Sequence, residues 1–217
     1  MECRKAMDAT AMKKKEFYMK EKKDNKLEKS IFRTLGASNH TEKERQEDDY
    51  YATDPKAIDI LLSAESFDNN IWECASGGGH LSKRLKYFGY NVYSTDIKDR
   101  GCCDKIVDFL ACTDKFNGDI ITNPPFKFAQ QFVERGLELT NNKLALFLKI
   151  QFLEGKSRRK MYDIHPPKTV YVLSSRIACA KNADFEYMKE NGGSAMAYCW
   201  YVWEKDFQGE TVLKWVN

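Results

Sequence analysis

The chain has 217 residues, of which 42% are hydrophobic, and its formal net charge is +3. This length suits one sizeable domain with an appendage, and the small net charge does not by itself indicate nucleic-acid binding. No apolar run approaches the ~20 residues needed to cross a bilayer, and the N-terminus is charged where a signal peptide is apolar. We therefore expect a soluble cytoplasmic protein without membrane segments.

The cysteines and histidines give no indication of a metal centre. Seven cysteines and three histidines are spread along the chain, and no two cysteines form a C-x-x-C pair. Such spacing fits neither a zinc site nor a disulfide framework. We expect reduced cysteines and no bound metal.

The chain divides into two regions of different composition. Residues 1–48 are dense in charge and poor in apolar side chains, with a basic block from Lys13 to Arg33. Such a segment cannot bury enough surface to offset its ordering entropy. We expect a flexible arm over residues 1–48, either a phosphate-seeking tail or a solvated leader, and a folded domain over residues 49–217.

The folded region opens with a helix, followed by a strand, a glycine loop and a second helix. Thr53 or Asp54 can cap a helix that has Pro55 in its first turn. Residues 71–75 form a predicted buried strand, and residues 76–80 follow it with three successive glycines. These glycines let the backbone approach a ligand closely at the positive end of the next helix. A flexible connection is the alternative, but it needs fewer glycines.

Acidic residues end the next strands. A second strand over residues 91–95 ends at Asp96, about 20 residues after Glu73, the offset at which nucleotide-binding folds present a carboxylate to ribose hydroxyls. Strands alternating with helices, with acids at strand ends, indicate a doubly wound α/β fold that collects ligands along one sheet edge. For each acid, a helix cap or a solvated loop is the alternative. Further strands are predicted over residues 105–107, 119–122, 143–150, 169–173 and 195–203, with the last two forming the antiparallel end of the sheet.

The tetrapeptide Asn123-Pro124-Pro125-Phe126 follows the fourth strand directly. Its two prolines fix φ and remove backbone donors, so the turn is stiff and its carbonyls are expected to stay unpaired. The Asn123 amide oxygen and the Pro124 carbonyl are acceptors about one amino group apart, and Phe126 offers a flat face beside them. Such a turn suits an amine on a planar ring, although proline dipeptides also mark ordinary turns.

A basic helix is predicted over residues 156–162, after a loop at residues 151–155. Its Lys156, Arg158 and Arg159, together with Lys127 beside the proline turn, are candidates for contacts with nucleic-acid phosphates. A solvated helix face is the alternative interpretation.

Two of these motifs resemble those of one enzyme family. Residues 73–80 resemble the S-adenosylmethionine loop of class I methyltransferases, and residues 123–126 match the (Asp/Asn/Ser)-Pro-Pro-(Tyr/Phe) tetrapeptide of amino-methyltransferases. Their order is that of the gamma group of N-6 adenine DNA methyltransferases, and residues 153–155 and 200–203 resemble small phage and prophage members. The resemblance implies a Rossmann-like α/β fold with a seven-stranded, mostly parallel sheet and helices on both faces.

The resemblance also implies a site. Glu73 and the glycine loop would hold the methionine half of the cofactor S-adenosyl-L-methionine, Asp96 its ribose and Asp108-Phe109 its adenine. Ala75 stands where the family commonly has its first glycine. The implied cofactor-binding residues are Tyr51, Thr53, Glu73, Ala75, Gly77, Gly79, Asp96, Ile97, Asp108, Phe109 and Asn123, and the implied catalytic residues are Asn123, Pro124, Pro125 and Phe126.

The implied activity is methyl transfer to the exocyclic amine of adenine, with DNA favoured over RNA as the partner. The same tetrapeptide serves RNA base amino-methyltransferases and protein glutamine methyltransferases, although the latter usually carry an N-terminal helical domain that the charged arm does not resemble. A cofactor- or nucleic-acid-binding protein without catalysis and a nicotinamide-dependent oxidoreductase are further alternatives. The target sequence and the oligomeric state do not follow from the sequence.

Overall fold

A large, mostly parallel sheet organises the part of the chain described by the computed structural model, residues 51–177, 179–181 and 196–217. The predicted arm over residues 1–48 lies outside these ranges. The strands are β1 (Tyr51–Thr53), β2 (Asn70–Glu73), β3 (Asn91–Asp96), β4 (Lys105–Ile106), β5 (Asp119–Thr122), β6 (Lys143–Lys149), β7 (Thr169–Leu173), β8 (Cys179–Lys181), β9 (Tyr198–Glu204) and β10 (Val212–Val216).

Helices connect many of these strands. They are α1 (Lys56–Ala64), α2 (His80–Tyr87), α3 (Ala129–Leu139) and α4 (Lys156–Ile164), and short 3-10 turns span Phe126–Phe128 and Ile150–Leu153. Helix α1 begins at Lys56 with Pro55 at its N-cap position, one residue later than predicted, and an Asp54 carboxylate oxygen accepts the Lys56 N–H at 3.0 Å. The predicted loop over residues 151–155 is partly a 3-10 turn.

The large sheet has the strand order β10-β7-β9-β6-β5-β2-β3-β4. Strand β9 runs antiparallel to both β6 and β7, and the other pairs in this sheet are parallel. The predicted antiparallel end is therefore confirmed. Helices connecting parallel strands in this way produce the doubly wound arrangement that the sequence pattern predicts.

The predicted count of seven strands was wrong, because the large sheet has eight. Strand β10 adds to its edge, parallel to β7, and β1 and β8 form a separate antiparallel pair. The alternation of apolar and polar residues that marks a half-buried strand could not reveal β10, since its apolar residues Val212, Leu213 and Trp215 are all exposed. Strands β1 and β8 have three residues each, too few for an alternating pattern to be recognised.

The core has two parts, one on each face of the sheet. Neighbouring strand residues alternate between them, so Ile120 belongs to one cluster and Ile121 to the other. Helix α3 packs on the first face through Phe132 and Val133. The second face is covered by α1 and α2, with side chains such as Leu61 packed there. The expected layers of helices on both faces are thus present.

Within the described ranges, no helix has the length and apolar character that spanning a membrane requires. The same ranges contain no cluster of three or more His, Cys, Asp or Glu residues arranged to hold a metal ion.

Candidate active site

Three neighbouring parallel strands end at the same edge of the sheet. Strands β2, β3 and β5 lie side by side, and they end at Glu73, Asp96 and Thr122. The carboxyl edge of a parallel sheet is where such folds bind ligands. The structure therefore brings the glycine loop, the two predicted acids and the proline turn to one edge.

The glycine loop is tightly wound after β2. Gly77 and Gly79 have φ values of 52° and 72°, a left-handed conformation that favours glycine. The Gly79 N–H donates to the Ser76 carbonyl at 2.7 Å. A Cβ on Gly79 would lie 3.2 Å from the Cβ of Cys102, so the segment after β3 leaves little room for a side chain there. Ala75, the departure from the family pattern, is half-buried and packs against the core.

Asp96 connects this loop to the end of β3. One of its carboxylate oxygens accepts the Gly77 N–H at 2.7 Å. The other accepts the Lys98 N–H at 3.0 Å and a guanidinium N–H of Arg100 at 2.8 Å. Because Asp96 is almost fully buried, its negative charge is fixed beside the loop that was predicted to hold the cofactor. Sequence reasoning did not identify Arg100, which carries no motif signal.

Glu73 is a buried carboxyl group directly before the loop. Burial raises the pKa of Glu73 to about 8, and the negative charge of Asp96 also raises it, while hydrogen bonds from Ser82 lower it. The Ser82 hydroxyl on α2 donates to one of its oxygens. The raised pKa favours the protonated form of Glu73 at neutral pH, which is a neutral polar group near the Asp96 carboxylate.

The proline turn is held by the small β1–β8 sheet. Asn123 Nδ2 donates to Thr53 Oγ1 at 2.8 Å, and Thr53 is buried in β1. The expectation of unpaired carbonyls was wrong for Pro125, whose carbonyl accepts the Phe128 N–H at 2.9 Å and starts the 3-10 turn. Pro124 is buried. The turn thus has a fixed geometry on both sides of its prolines.

The Phe126 ring has two neighbours that the sequence did not indicate. The Tyr198 ring lies 6.1 Å away, tilted by 34°, and it stacks on Phe147 at 5.1 Å. The Lys149 ammonium lies 4.7 Å from the centre of the Phe126 ring. These side chains meet because β9 pairs with β6, and that pairing sets Tyr198 opposite Lys149.

The residues predicted for the cofactor adenine lie in different environments. The Phe109 ring is buried and stacks on Phe132 at 4.9 Å, which leaves mainly its backbone to contact a ligand. Asp108 is exposed, and its carboxylate accepts the Leu110 N–H at 3.0 Å. Ile97 is 62% exposed. Tyr51 begins β1, where it pairs with Lys181.

Two of the predicted phosphate-binding residues, Arg158 and Arg159, have partners within the fold. Arg158 donates to the Glu154 carbonyl at 2.6 Å and lies over the Phe152 ring at 5.2 Å. Arg159 pairs with Asp163 at 2.8 Å. Lys127 and Lys156 are exposed.

A shallow hollow of about 580 Å³ lies at the opposite, amino edge of the sheet. It is lined by Asp59, Leu62, Ser63, Phe67, Asn69, Phe88, Gly89 and Tyr90. None of the predicted site residues lies in it.

Neither a known protein family nor a curated protein sequence matches the chain. Solved structures do resemble it. A chain from a type I restriction–modification system aligns with a TM-score of 0.51 at 11% identity, over 87% of this chain and 48% of that chain. A Listeria monocytogenes protein assigned to the class I S-adenosylmethionine-dependent methyltransferases aligns with a TM-score of 0.48 at 14% identity, over 74% and 62% of the two chains.

The 23S rRNA methyltransferase ErmE has a TM-score of 0.45 at 13% identity, over 74% of this chain and 70% of its own. The chain thus spans less than two thirds of the Listeria protein's length. At these identities the likeness concerns the fold. The strand order, with helices on both faces of a mostly parallel sheet, defines a Rossmann-like, doubly wound α/β fold, as predicted.

Proposed function

We propose that this chain is an S-adenosylmethionine-dependent methyltransferase that modifies the exocyclic amine of adenine in DNA. The observation that carries the proposal is the Asn-Pro-Pro-Phe turn at the carboxyl end of β5, with the Asn123 amide nitrogen hydrogen-bonded to Thr53. The turn lies at the same sheet edge as the glycine loop. Methyl transfer to an amino group needs a turn that binds the amine next to a loop that binds the cofactor, and the two motifs have this arrangement.

The residues present fit S-adenosylmethionine. Gly77 and Gly79 adopt left-handed conformations that open the backbone to a ligand. The Ser76 hydroxyl is buried and, among the described residues, has no hydrogen-bond partner, so it is available to a bound group. An ionised carboxylate has about four acceptor positions, and Asp96 already accepts from three donors, so about one position is left for a ribose hydroxyl. When bound, the cofactor supplies a methyl group activated by its sulfonium.

The proline turn would then prepare the amine. The Asn123 amide nitrogen faces Thr53, so its oxygen end is directed away from β1. That oxygen and the Pro124 carbonyl would accept the two N–H bonds of an adenine amine, which draws the nitrogen toward tetrahedral geometry and frees its lone pair. Phe126 would stack on the base, a contact worth ~1–3 kcal/mol in nucleic-acid sites. Positioning of this kind provides most of the catalysis, and no general base with a tuned pKa is needed.

DNA is the proposed substrate because the order of the two motifs is that of the gamma adenine DNA methyltransferases. In a duplex the target base would have to be flipped out of the stack to reach the turn. RNA is the main alternative, since the chemistry at the turn would be the same.

Transfer of labelled methyl groups to unmodified DNA and, in parallel, to RNA tests the proposal. Incorporation into DNA with S-adenosylmethionine as the donor is the expected result. Label only in RNA would support the proposed reaction but would show that the substrate is RNA and not DNA. Binding of NAD in competition with S-adenosylmethionine, without transfer, would instead favour the oxidoreductase alternative.

A further inference from the structure

Lys149 is a charged residue of the candidate site for which the family motifs give no role. It is the last residue of β6, and β6 pairs in parallel with β5. It therefore emerges at the same sheet edge as the proline turn, where its ammonium lies 4.7 Å from the centre of the Phe126 ring. Burial raises the pKa of the Cys179 thiol on β8, and the positive charge of Lys149 acts against that rise.

Lys149 differs from other partly buried lysines of the sheet in its electrostatic partners. Lys143 pairs with Glu65 at 2.8 Å, and Lys168 pairs with Glu204 at 2.5 Å. Over the described part of the chain, the Lys149 ammonium forms no such ion pair, and its recorded neighbour is an aromatic ring. Partly desolvated cations are normally paired with an anion. The Lys149 side chain is thus arranged to receive an anionic group from outside the chain.

The base of the Lys149 side chain is held rigidly. Its carbonyl accepts the Tyr201 hydroxyl at 3.2 Å, and its backbone pairs with Tyr198. The contact with the Phe126 ring adds a cation–π attraction, which is stronger where the ammonium is desolvated. The ammonium is therefore held over one face of the Phe126 ring, on which the target base is proposed to stack.

We propose that Lys149 binds a backbone phosphate of the nucleic-acid strand that presents its base to Phe126. This assignment rests on the proposed function. A nucleotide brings its phosphates with its base, and an ammonium on a flexible stem binds phosphate as a point charge. A glutamine amide in a protein brings no such anion. Lys149 therefore makes the target side of the site selective for a nucleic-acid strand over a peptide.

The variant Lys149→Met tests the assignment, with Lys214→Met as the matched control. Methionine keeps an unbranched stem against Phe126 and removes the charge. Lys214 also lies over an aromatic ring, Tyr171, at 5.7 Å, but it belongs to the edge strand β10. The readout is the dissociation constant of a single-stranded DNA oligonucleotide, which needs no base flipping, measured from about 50 mM to 200 mM salt.

Lys149→Met is expected to weaken oligonucleotide binding roughly ten-fold at low salt, the loss typical of one charge-assisted hydrogen bond. For this variant, the slope of the logarithm of the association constant against the logarithm of the salt concentration should be smaller in magnitude by about 0.7. That is the contribution of one phosphate on a single strand. Lys214→Met should match the wild-type protein, and Lys149→Arg should retain most of the affinity. The dissociation constant of S-adenosylmethionine should stay the same in every variant.

An unchanged salt slope in Lys149→Met, or no binding of the oligonucleotide by the wild-type protein, would overturn the assignment. So would a loss of S-adenosylmethionine affinity in Lys149→Met, because the ammonium would then serve the cofactor. Methyl transfer is measured in a separate assay. Oligonucleotide binding that depends on Lys149 but leads to no transfer would support the assignment and contradict the proposed function.

Discussion

Asn123 is oriented by a residue that is distant in sequence. Its amide nitrogen donates to Thr53 Oγ1, and Thr53 belongs to a strand held by pairing with β8. The residue type at position 123 is predictable from the tetrapeptide motif. Its orientation is not, because it depends on a contact between segments that only the folded chain brings together.

Replacing Asn123 by Ala should lower methyl transfer by at least about 100-fold, the scale of losing one preorganised polar group at a reacting centre. The dissociation constant of S-adenosylmethionine should remain nearly unchanged, because the glycine loop and Asp96 are intact. Asn91→Ala is the control, since the Asn91 side chain is exposed and its amide nitrogen donates to the Asn70 amide oxygen, away from the proline turn. Loss of cofactor binding in Asn123→Ala would mean that Asn123 serves the cofactor or the structure of the turn, and not the amine.

Glu73 should make the stability depend on pH. Its pKa in the folded protein is about 8, above the ordinary 4.5, so the folded state holds a proton that the unfolded state releases between these values. The contribution of Glu73 to the free energy of unfolding should therefore be largest below the ordinary pKa and should fall as the pH rises toward about 8. In Glu73→Gln, which cannot titrate, denaturant unfolding at several pH values should show less of this fall. Equal pH profiles for the two proteins would contradict the buried, protonated state.

At the scale of elements, the strands that surround the site were predictable and the peripheral ones were not. Strands β2, β3 and β5 are buried runs followed by glycines, an acid or prolines, and these signals lie within each segment. Strand β10 is exposed, so burial leaves no pattern in its sequence. The pairing of β1 with β8 fixes the proline turn, yet it joins two short segments far apart in the chain.

The role of the glycine loop is tested by comparing the variant Gly79→Ala with the variant Gly89→Ala. Both glycines have positive φ, at 72° and 90°, so each alanine should cost about 1–2 kcal/mol of unfolding free energy. A Cβ at Gly89 meets nothing within 4 Å, whereas one at Gly79 meets Cys102 at 3.2 Å. Gly79→Ala should therefore be the less stable variant and should also weaken S-adenosylmethionine binding, as measured by calorimetry. Equal cofactor affinity in both variants would contradict the loop's assignment.

At the scale of the whole molecule, the order of the motifs along the chain was enough to predict the fold class. The carboxyl edge of a doubly wound sheet then brought Glu73, Asp96 and Asn123 together as expected. The two neighbours of Phe126 were not predictable, because Lys149 and Tyr198 are brought together by the register of an antiparallel strand pair. Sequence motifs thus identify the residues proposed to carry the chemistry, and the topology adds those that surround the substrate.

The most direct measurement is nucleoside analysis of unmodified duplex DNA after incubation with the protein and methyl-labelled S-adenosylmethionine. We predict label in N6-methyladenine, because the proline turn is proposed to hold an exocyclic amine in the plane of a purine ring. Label in a ring-carbon product such as 5-methylcytosine, or in protein alone, would contradict it.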